Sequence, residues 1–247
     1  MIRTIQALFF DLDNTLCNGD AAFQRALDAT IARLIERYPA LDAAGVRIAW
    51  QTAHARELLP ALERHELTMA AVRARRWPLT LRALGISDTD GALAAELDLF
   101  LGRTQLEHLR LYEDVAALTA LGRQYHLGII TNGAADDHPD SQRTKAANLG
   151  LLARMQSFVA SDSVGIRKPD PRIFALALAK AGIAPGAAVY VGDSVAADIV
   201  GANRAGLRSV LLWRSDAPMP LAQGDHEWPA AAIRSLYELP GIIERLA

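Results

Sequence analysis

Two aspartates one residue apart, Asp11 and Asp13, close the apolar run of ALFFDLDNT, and Thr15 follows two residues on. A strand alternates its faces with period two, so the two carboxylates start out on one side. Like charges that close repel, and a cation or a proton has to relieve them. Three further segments set polar residues at the ends of apolar runs. IITNG ends in Thr131, Asn132 and Gly133; SDSVGIRKPD leads to Lys168; VYVGDS ends in Asp193 and Ser194, with Asp198 about one helical turn on. Brought to one edge, these residues have a coherent chemistry. Oxygen-bearing side chains favour a hard divalent cation, and Mg²⁺ suits a site that also takes phosphate. A lysine is a point charge for phosphate oxygens and would also hold Asp11 ionised. Thr131 and the N–H groups after it make a phosphate cradle. An aspartate is a competent nucleophile at phosphorus, forming an aspartyl-phosphate. A second carboxylate two residues on can protonate the leaving oxygen and then activate water.

Such residues have to be positioned by strands. Residues 7–10 read as a buried parallel strand, and HLGIITNG, SFVAS, AAVYVGD and SVLLW read as four more. Between them lie DVAALTALGRQY, SQRTKAANLGL, PDPRIFALALAKAGI and SVAADIVGANRAGL, which read as helices, and SLYELPGIIERL closes the chain as another. Alternating strands and helices indicate an α/β fold with a Rossmann-like, doubly wound parallel sheet, whose ligands bind at the carboxyl ends of the strands. The block from 18 to 110 contains no convincing strand. FQRALDATIARLIERY places Phe23, Leu27, Ile31, Leu34, Ile35 and Tyr38 on one helical stripe, and further helical runs fall near 42–64, 66–84 and 88–110. Pro78 is expected to kink or split the run in which it lies. Ser, Asp and Thr of GISDTDG are N-cap candidates for the last run. The expected organisation is a core of residues 1–17 and 111–247 interrupted by an all-helical insertion, 18–110.

The motifs resemble those of the haloacid dehalogenase superfamily of phosphohydrolases. DLDNT is similar to its first motif, ITNG to the second, RKPDPRIF to the third and VGDSVAADIVGA to the fourth, in family order. The helical block resembles the family's cap. The resemblance implies Asp11 as nucleophile and metal ligand, and Asp13 as general acid/base with its backbone carbonyl on the metal. It implies Thr131 and the Asn132 N–H at phosphate, Lys168 steadying Asp11 and the phosphoryl group, and Asp193 on Mg²⁺. Asp198 supports the metal site, Thr15 braces the first-motif loop, and Gly133 and Ser194 belong to their turns. DLDNTL, TNG and VGIRKPDPRIF resemble the nucleotidase and N-acylneuraminate-9-phosphatase branch more finely. The expected activity is Mg²⁺-dependent hydrolysis of a small phosphate monoester, a nucleoside monophosphate or a sugar phosphate. The alternatives on the same fold are a haloacid dehalogenase, a phosphomutase and a catalytically silent binding module. A dehalogenase needs neither metal nor the second aspartate, so Asp13, Asp193 and Asp198 argue against it. Phosphonate hydrolysis in the family takes a cap lysine, and 18–110 contains none. A cis Lys168–Pro169 bond would aim the lysine inward, and proline lowers its cost to about 0.5–1 kcal/mol.

Each motif alone has a plainer reading: a solvated strand end, a good turn, a helix start, an N-cap. The four in order outweigh these. Cys17 has no base beside it in sequence and reads as structural. The six histidines, among them His54, His65 and His138, lack metal-ligand spacing. Arg73–Trp77 reads as a solvated basic face before an anion contact. The turn after the second motif is long and polar, with Asp136, Asp137, His138 and Asp140, and would either shape substrate access or be an ordinary solvated loop. A formal charge of −2 gives no reason to expect nucleic acid or a membrane as partner, and a single cysteine allows no internal disulfide. No signal peptide or membrane-spanning run is visible. A cytoplasmic monomer or homodimer acting on a small phosphorylated metabolite is expected.

Overall fold

The computed structural model describes residues 4–219 and 224–246, so the outer limits of the expected core, 1 and 247, lie outside the described residues. The strands are β1 (Ala7–Phe10), β2 (His126–Thr131), β3 (Ser157–Ala160), β4 (Ala188–Gly192), β5 (Arg208–Leu212) and β6 (Ala231–Ile233). The helices are α1 (Gly19–Arg37), α2 (Ala43–Ala53), α3 (Leu59–Glu63), α4 (Met69–Ala83), α5 (Ala92–His108), α6 (Leu118–Leu121), α7 (Gln142–Asn148), α8 (Ser161–Val164), α9 (Pro171–Ala181), α10 (Val200–Arg204) and α11 (Leu239–Leu246). The chain forms two compact units. One takes the residues up to Gly19, Arg110–Asn132 and those from Ala146 on; the other takes Asp20–Leu109 and Gly133–Lys145.

All strands of the first unit run parallel, in the order β3-β2-β1-β4-β5-β6. The chain leaves β1 toward β2 and β3 on one side, then returns to build β4, β5 and β6 on the other. The order therefore reverses between β1 and β4, where open α/β sheets bind their ligands. Phe9 pairs with Tyr190 in that register. Period-two alternation puts Ala7, Phe9, Ala188 and Tyr190 on one face, where they pack with Ile173, Phe174 and Ala177 of α9. Pro171 opens α9, where a missing N–H costs little, and Asp170 caps it by accepting from Arg172 N. The strand β6 was not anticipated, because three residues carry no periodicity to detect. The Lys168–Pro169 peptide is cis.

The second unit is helical around its own core of Leu27, Ile31, Leu34, Trp50, Trp77, Leu81, Leu97 and Leu101, with Phe23, Ile35 and Tyr38 partly buried against it. The helix α4 runs on through Pro78 rather than splitting there. Buried Arg73, Arg76, Trp77 and Leu81 anchor it on both sides of the proline, and that burial outweighs the roughly 3 kcal/mol that an interior proline costs. The N-cap position of α5 is Gly91, at φ 72°, not a Ser, Asp or Thr. Asp88 caps from farther back, its carboxylate accepting from Leu93 N at 3.1 Å and Ala94 N at 2.8 Å. The sequence reading counts Gly133–Lys145 with the core. Its acidic stretch instead ion-pairs with α4: Arg73 with Asp136, and Arg76 Nη2 with Asp140 at 3.0 Å.

Candidate active site

The end of β1 delivers Asp11, whose N–H donates to Val191 O of β4 at 3.0 Å. Asp193 leaves the neighbouring strand one residue past its end. Asp198 follows in a single π-type turn, Val195–Ile199, capped by Ser194, whose hydroxyl accepts from Ala197 N. The Asp198 carboxylate reaches back to accept from Ser194 N at 3.0 Å. A side chain on Gly192 would collide with Asp198, so this close approach requires glycine. Asp11, Asp193 and Asp198 each bring one carboxylate oxygen within 4.8 Å of the others. Asp13 is not in that group. It sits in the turn beyond the strand, bridged to Cys17, and a Cβ on Gly19 would overlap its carboxylate.

Lys168 enters beneath these acids from the loop before α9. Its Nζ lies 2.6 Å from Asp11 Oδ1, 2.6 Å from Asp198 Oδ1 and 2.9 Å from Tyr190 Oη. An ammonium has three donors, and here each has an acceptor. Asn132 holds the Lys168 backbone at two points: its Oδ1 accepts from Lys168 N at 2.8 Å and its Nδ2 donates to Lys168 O at 3.1 Å. Thr131 is buried at the end of β2, and Gly133 follows at φ 146°, a conformation open to glycine. Thr15 is buried, with its hydroxyl 3.5 Å from Asp193 Oδ1.

Burial pushes the Asp11 carboxyl up to about 8, against the pull of Lys168 and with the push of Asp198 and Asp193. Lys168 pulls Asp11 toward the carboxylate form, as expected of a cation beside it, while burial beside two more carboxylates pushes the other way. Burial also works against charge on Lys168, but Asp11 and Asp198 more than offset it and raise its pKa. The donor set is hard oxygen, largely buried and short of positive charge, which fits a divalent cation.

Two interactions escaped the sequence reading. Tyr190 lies mid-strand in an apolar run, where its hydroxyl needs a partner, and that requirement is the one signal it gave. Arg214, just past β5, grips Asp114 with both Nη atoms at 2.9 Å and donates to Thr15 O at 2.9 Å, bracing the first-motif turn. Nothing in its sequence context points there. Arg73 and Arg76, weighed above as a solvated face or an anion contact, are neither solvated nor open to an anion. They are buried, and Asp98, Asp136 and Asp140 take their charge.

A family model described as haloacid dehalogenase-like hydrolase matches residues 5–206. The chain belongs to this family. The family and the carboxylate cluster together point to a divalent metal. A glyceraldehyde 3-phosphate phosphatase of Methanopyrus kandleri is 29% identical over 245 residues, covering 98% of this chain and 99% of that one. The N-acylneuraminate-9-phosphatase of Rattus norvegicus is 27% identical over 246 residues, covering 99% and 96%. The fold is similar to that of a 2-haloacid dehalogenase from Pseudomonas syringae pv. Tomato DC3000, with a TM-score of 0.75 and 27% identity over 99% and 100% of the two chains. No helix among the described residues is long and apolar enough to cross a membrane.

Proposed function

We propose that this hydrolase is a Mg²⁺-dependent phosphatase of small phosphate monoesters. The observation that carries the reading is the close group of buried Asp11, half-buried Asp193 and buried Asp198, with Lys168 paired to Asp11 and Asp198, at the point where the sheet order reverses. Asp11 and Asp193, with the Asp13 backbone carbonyl, would hold the metal, and Asp198 supports the site. Mg²⁺ bound there supplies positive charge to the phosphoryl oxygens and keeps Asp11 a carboxylate.

The protein's own residues carry the steps. An Asp11 oxygen attacks phosphorus and the ester P–O bond breaks. The leaving oxygen takes a proton from Asp13. Asp13, now a carboxylate, removes a proton from water, which attacks the same phosphorus, releasing phosphate and restoring Asp11. Thr131 and the Asn132 N–H orient the phosphoryl group. The helical unit is read as the family's cap, the part that selects the substrate. The phosphatase relatives named above support a small phosphorylated metabolite of the sugar phosphate class as substrate; a nucleoside monophosphate is the other class the motifs suggest.

The likeness to a 2-haloacid dehalogenase favours a second reading, in which Asp11 displaces halide from carbon. It leaves Asp13 and Asp193 without a part in the chemistry. Assays with an aryl phosphate and with a 2-chloro acid, each with EDTA or added Mg²⁺, separate the two. Phosphate release abolished by EDTA, restored by Mg²⁺ and poorly supported by the larger, looser Ca²⁺ is expected. Halide release without metal would overturn the proposal.

A further inference from the structure

We propose that Arg214 is a positioning residue for the reaction: through the Thr15 carbonyl it holds the turn that aims Asp13. The inference rests on the phosphatase reading of this site. Arg214 lies 199 residues from Thr15 and 100 from Asp114 in the chain, and the fold brings the three together. The turn after β1 folds back on itself. Leu16 N and Cys17 N both donate to Leu12 O, at 2.9 and 3.2 Å, and Asn14 N donates to Cys17 O at 2.7 Å. Asn14 has a φ of 59°, a left-handed conformation that asparagine adopts more readily than most side chains but that its surroundings still have to hold. Asp13 precedes it and Thr15 follows. Arg214 Nη2 donates to Thr15 O at 2.9 Å, so the strained residue is clamped on one side from outside the turn.

The clamp is itself fixed. Both Nη atoms hold Asp114 at 2.9 Å, and the guanidinium carbon lies 4.0 Å from the centre of the Tyr112 ring. A bidentate, stacked guanidinium keeps its plane. Asp114 is buried and also accepts from Ser235 Oγ at 3.0 Å and Leu236 N at 2.8 Å. Burial works to raise its carboxyl, but the Arg214 hydrogen bond and the Leu236 N–H hold it below the usual range, so it stays charged in neutral solution. Asp11 needs none of this. Its strand is paired with β2 and β4, and its own N–H donates to Val191 O at 3.0 Å. The two aspartates are held by different means, and loss of the Arg214 clamp loosens the second.

Asp13 gives its proton to the leaving oxygen, which an alkoxide needs and an aryl oxide hardly does. Arg214→Lys keeps the charge but not the fork. On Mg²⁺-loaded enzyme, its single-turnover phosphorylation by an alkyl phosphate should slow about tenfold to a hundredfold, the range of a group misplaced by about an ångström. With an aryl phosphate the rate should stay near that of the wild type, and the phosphoenzyme, read as added mass after acid quench, should accumulate. Asp114→Asn frees the arginine without touching the turn; it should give the same split, and the double variant should be no worse than the more severe single. Partial unfolding, by contrast, lowers both rates by one factor. Ser235→Ala leaves Asp114 its bonds to Arg214 and to Leu236 N; it should lower Tm and keep the wild-type ratio of alkyl to aryl rates. Equal slowing with both substrates in Arg214→Lys, no slowing at all, or the split appearing in Ser235→Ala would overturn the inference. Should Arg214→Lys fail to fold, Asp114→Asn decides by the same ratio. If the wild type is not phosphorylated by either substrate, the phosphatase reading fails and this inference falls with it; a phosphorylated wild type with no split in the variants sinks this inference alone.

Discussion

Asp11 stands among Lys168, Asp193 and Asp198, and its protonation depends on them and on its burial. Its ordinary pKa of 3.8 is pushed to about 8 in the protein without metal, chiefly by burial. A raised carboxyl binds a proton more tightly folded than unfolded. The stability this brings is fully present below about 3.8 and is lost progressively as pH rises to about 8. Burial lowers the pKa of His54 and His126, which shifts stability the opposite way in mild acid. The comparison therefore has to be made against Asp11→Asn, which keeps those histidines. In EDTA, the wild type should lose Tm relative to Asp11→Asn as pH rises toward 8, and Mg²⁺ should restore it most at the alkaline end, where the cation no longer competes with a proton. Parallel Tm curves for the two proteins across that range would show that Asp11 does not carry the strain of the site.

At the scale of elements, buried Arg73 and Arg76 of α4 join it to α5 and to the segment after β2. Arg76 contacts Asp98 of α5 at 2.8 Å and Asp140 at 3.0 Å, and Arg73 pairs with Asp136. His138 reaches Asp98 through Nε2 at 3.1 Å while its Nδ1 accepts from Asp140 N at 3.1 Å. Burial alone would raise the Asp98 carboxyl, but the His138 hydrogen bond and the Arg76 charge outweigh it and hold it below the usual range. Arg76→Ala strands Asp98 and Asp140 with less positive charge. Removing one partner of a buried ion pair costs about 3–5 kcal/mol, and denaturant unfolding should show a loss of that order. A change near zero would mean that water already screens the cluster. The sequence showed each of these residues but not their meeting. Charges 63 residues apart, such as Arg73 and Asp136, follow no local period, whereas the stripe from Phe23 to Tyr38 does.

In the whole molecule, the sheet was legible because buried parallel strands and the helices between them leave periodic and punctuated patterns. The carboxylates were legible because each follows a strand. Tyr190, Arg214 and β6 were not, since a hydroxyl in an apolar run, a lone arginine and three residues of strand carry no pattern. The proposed function gives different tasks to two aspartates that look alike in sequence, Asp11 as nucleophile and Asp13 as acid/base. Asp11→Asn removes the attacking oxygen, so no phosphoryl group should be transferred to the protein. Asp13→Asn keeps the nucleophile and loses proton transfer, a contribution typically about 10²–10⁴-fold. An aryl phosphate needs little proton help to leave, so this variant should still be phosphorylated, and the intermediate should accumulate because water is no longer activated. The measurement is intact-protein mass after rapid acid quench of each Mg²⁺-loaded variant with aryl phosphate. An added phosphoryl group on Asp13→Asn and none on Asp11→Asn is the predicted result; phosphorylation persisting in Asp11→Asn would contradict it.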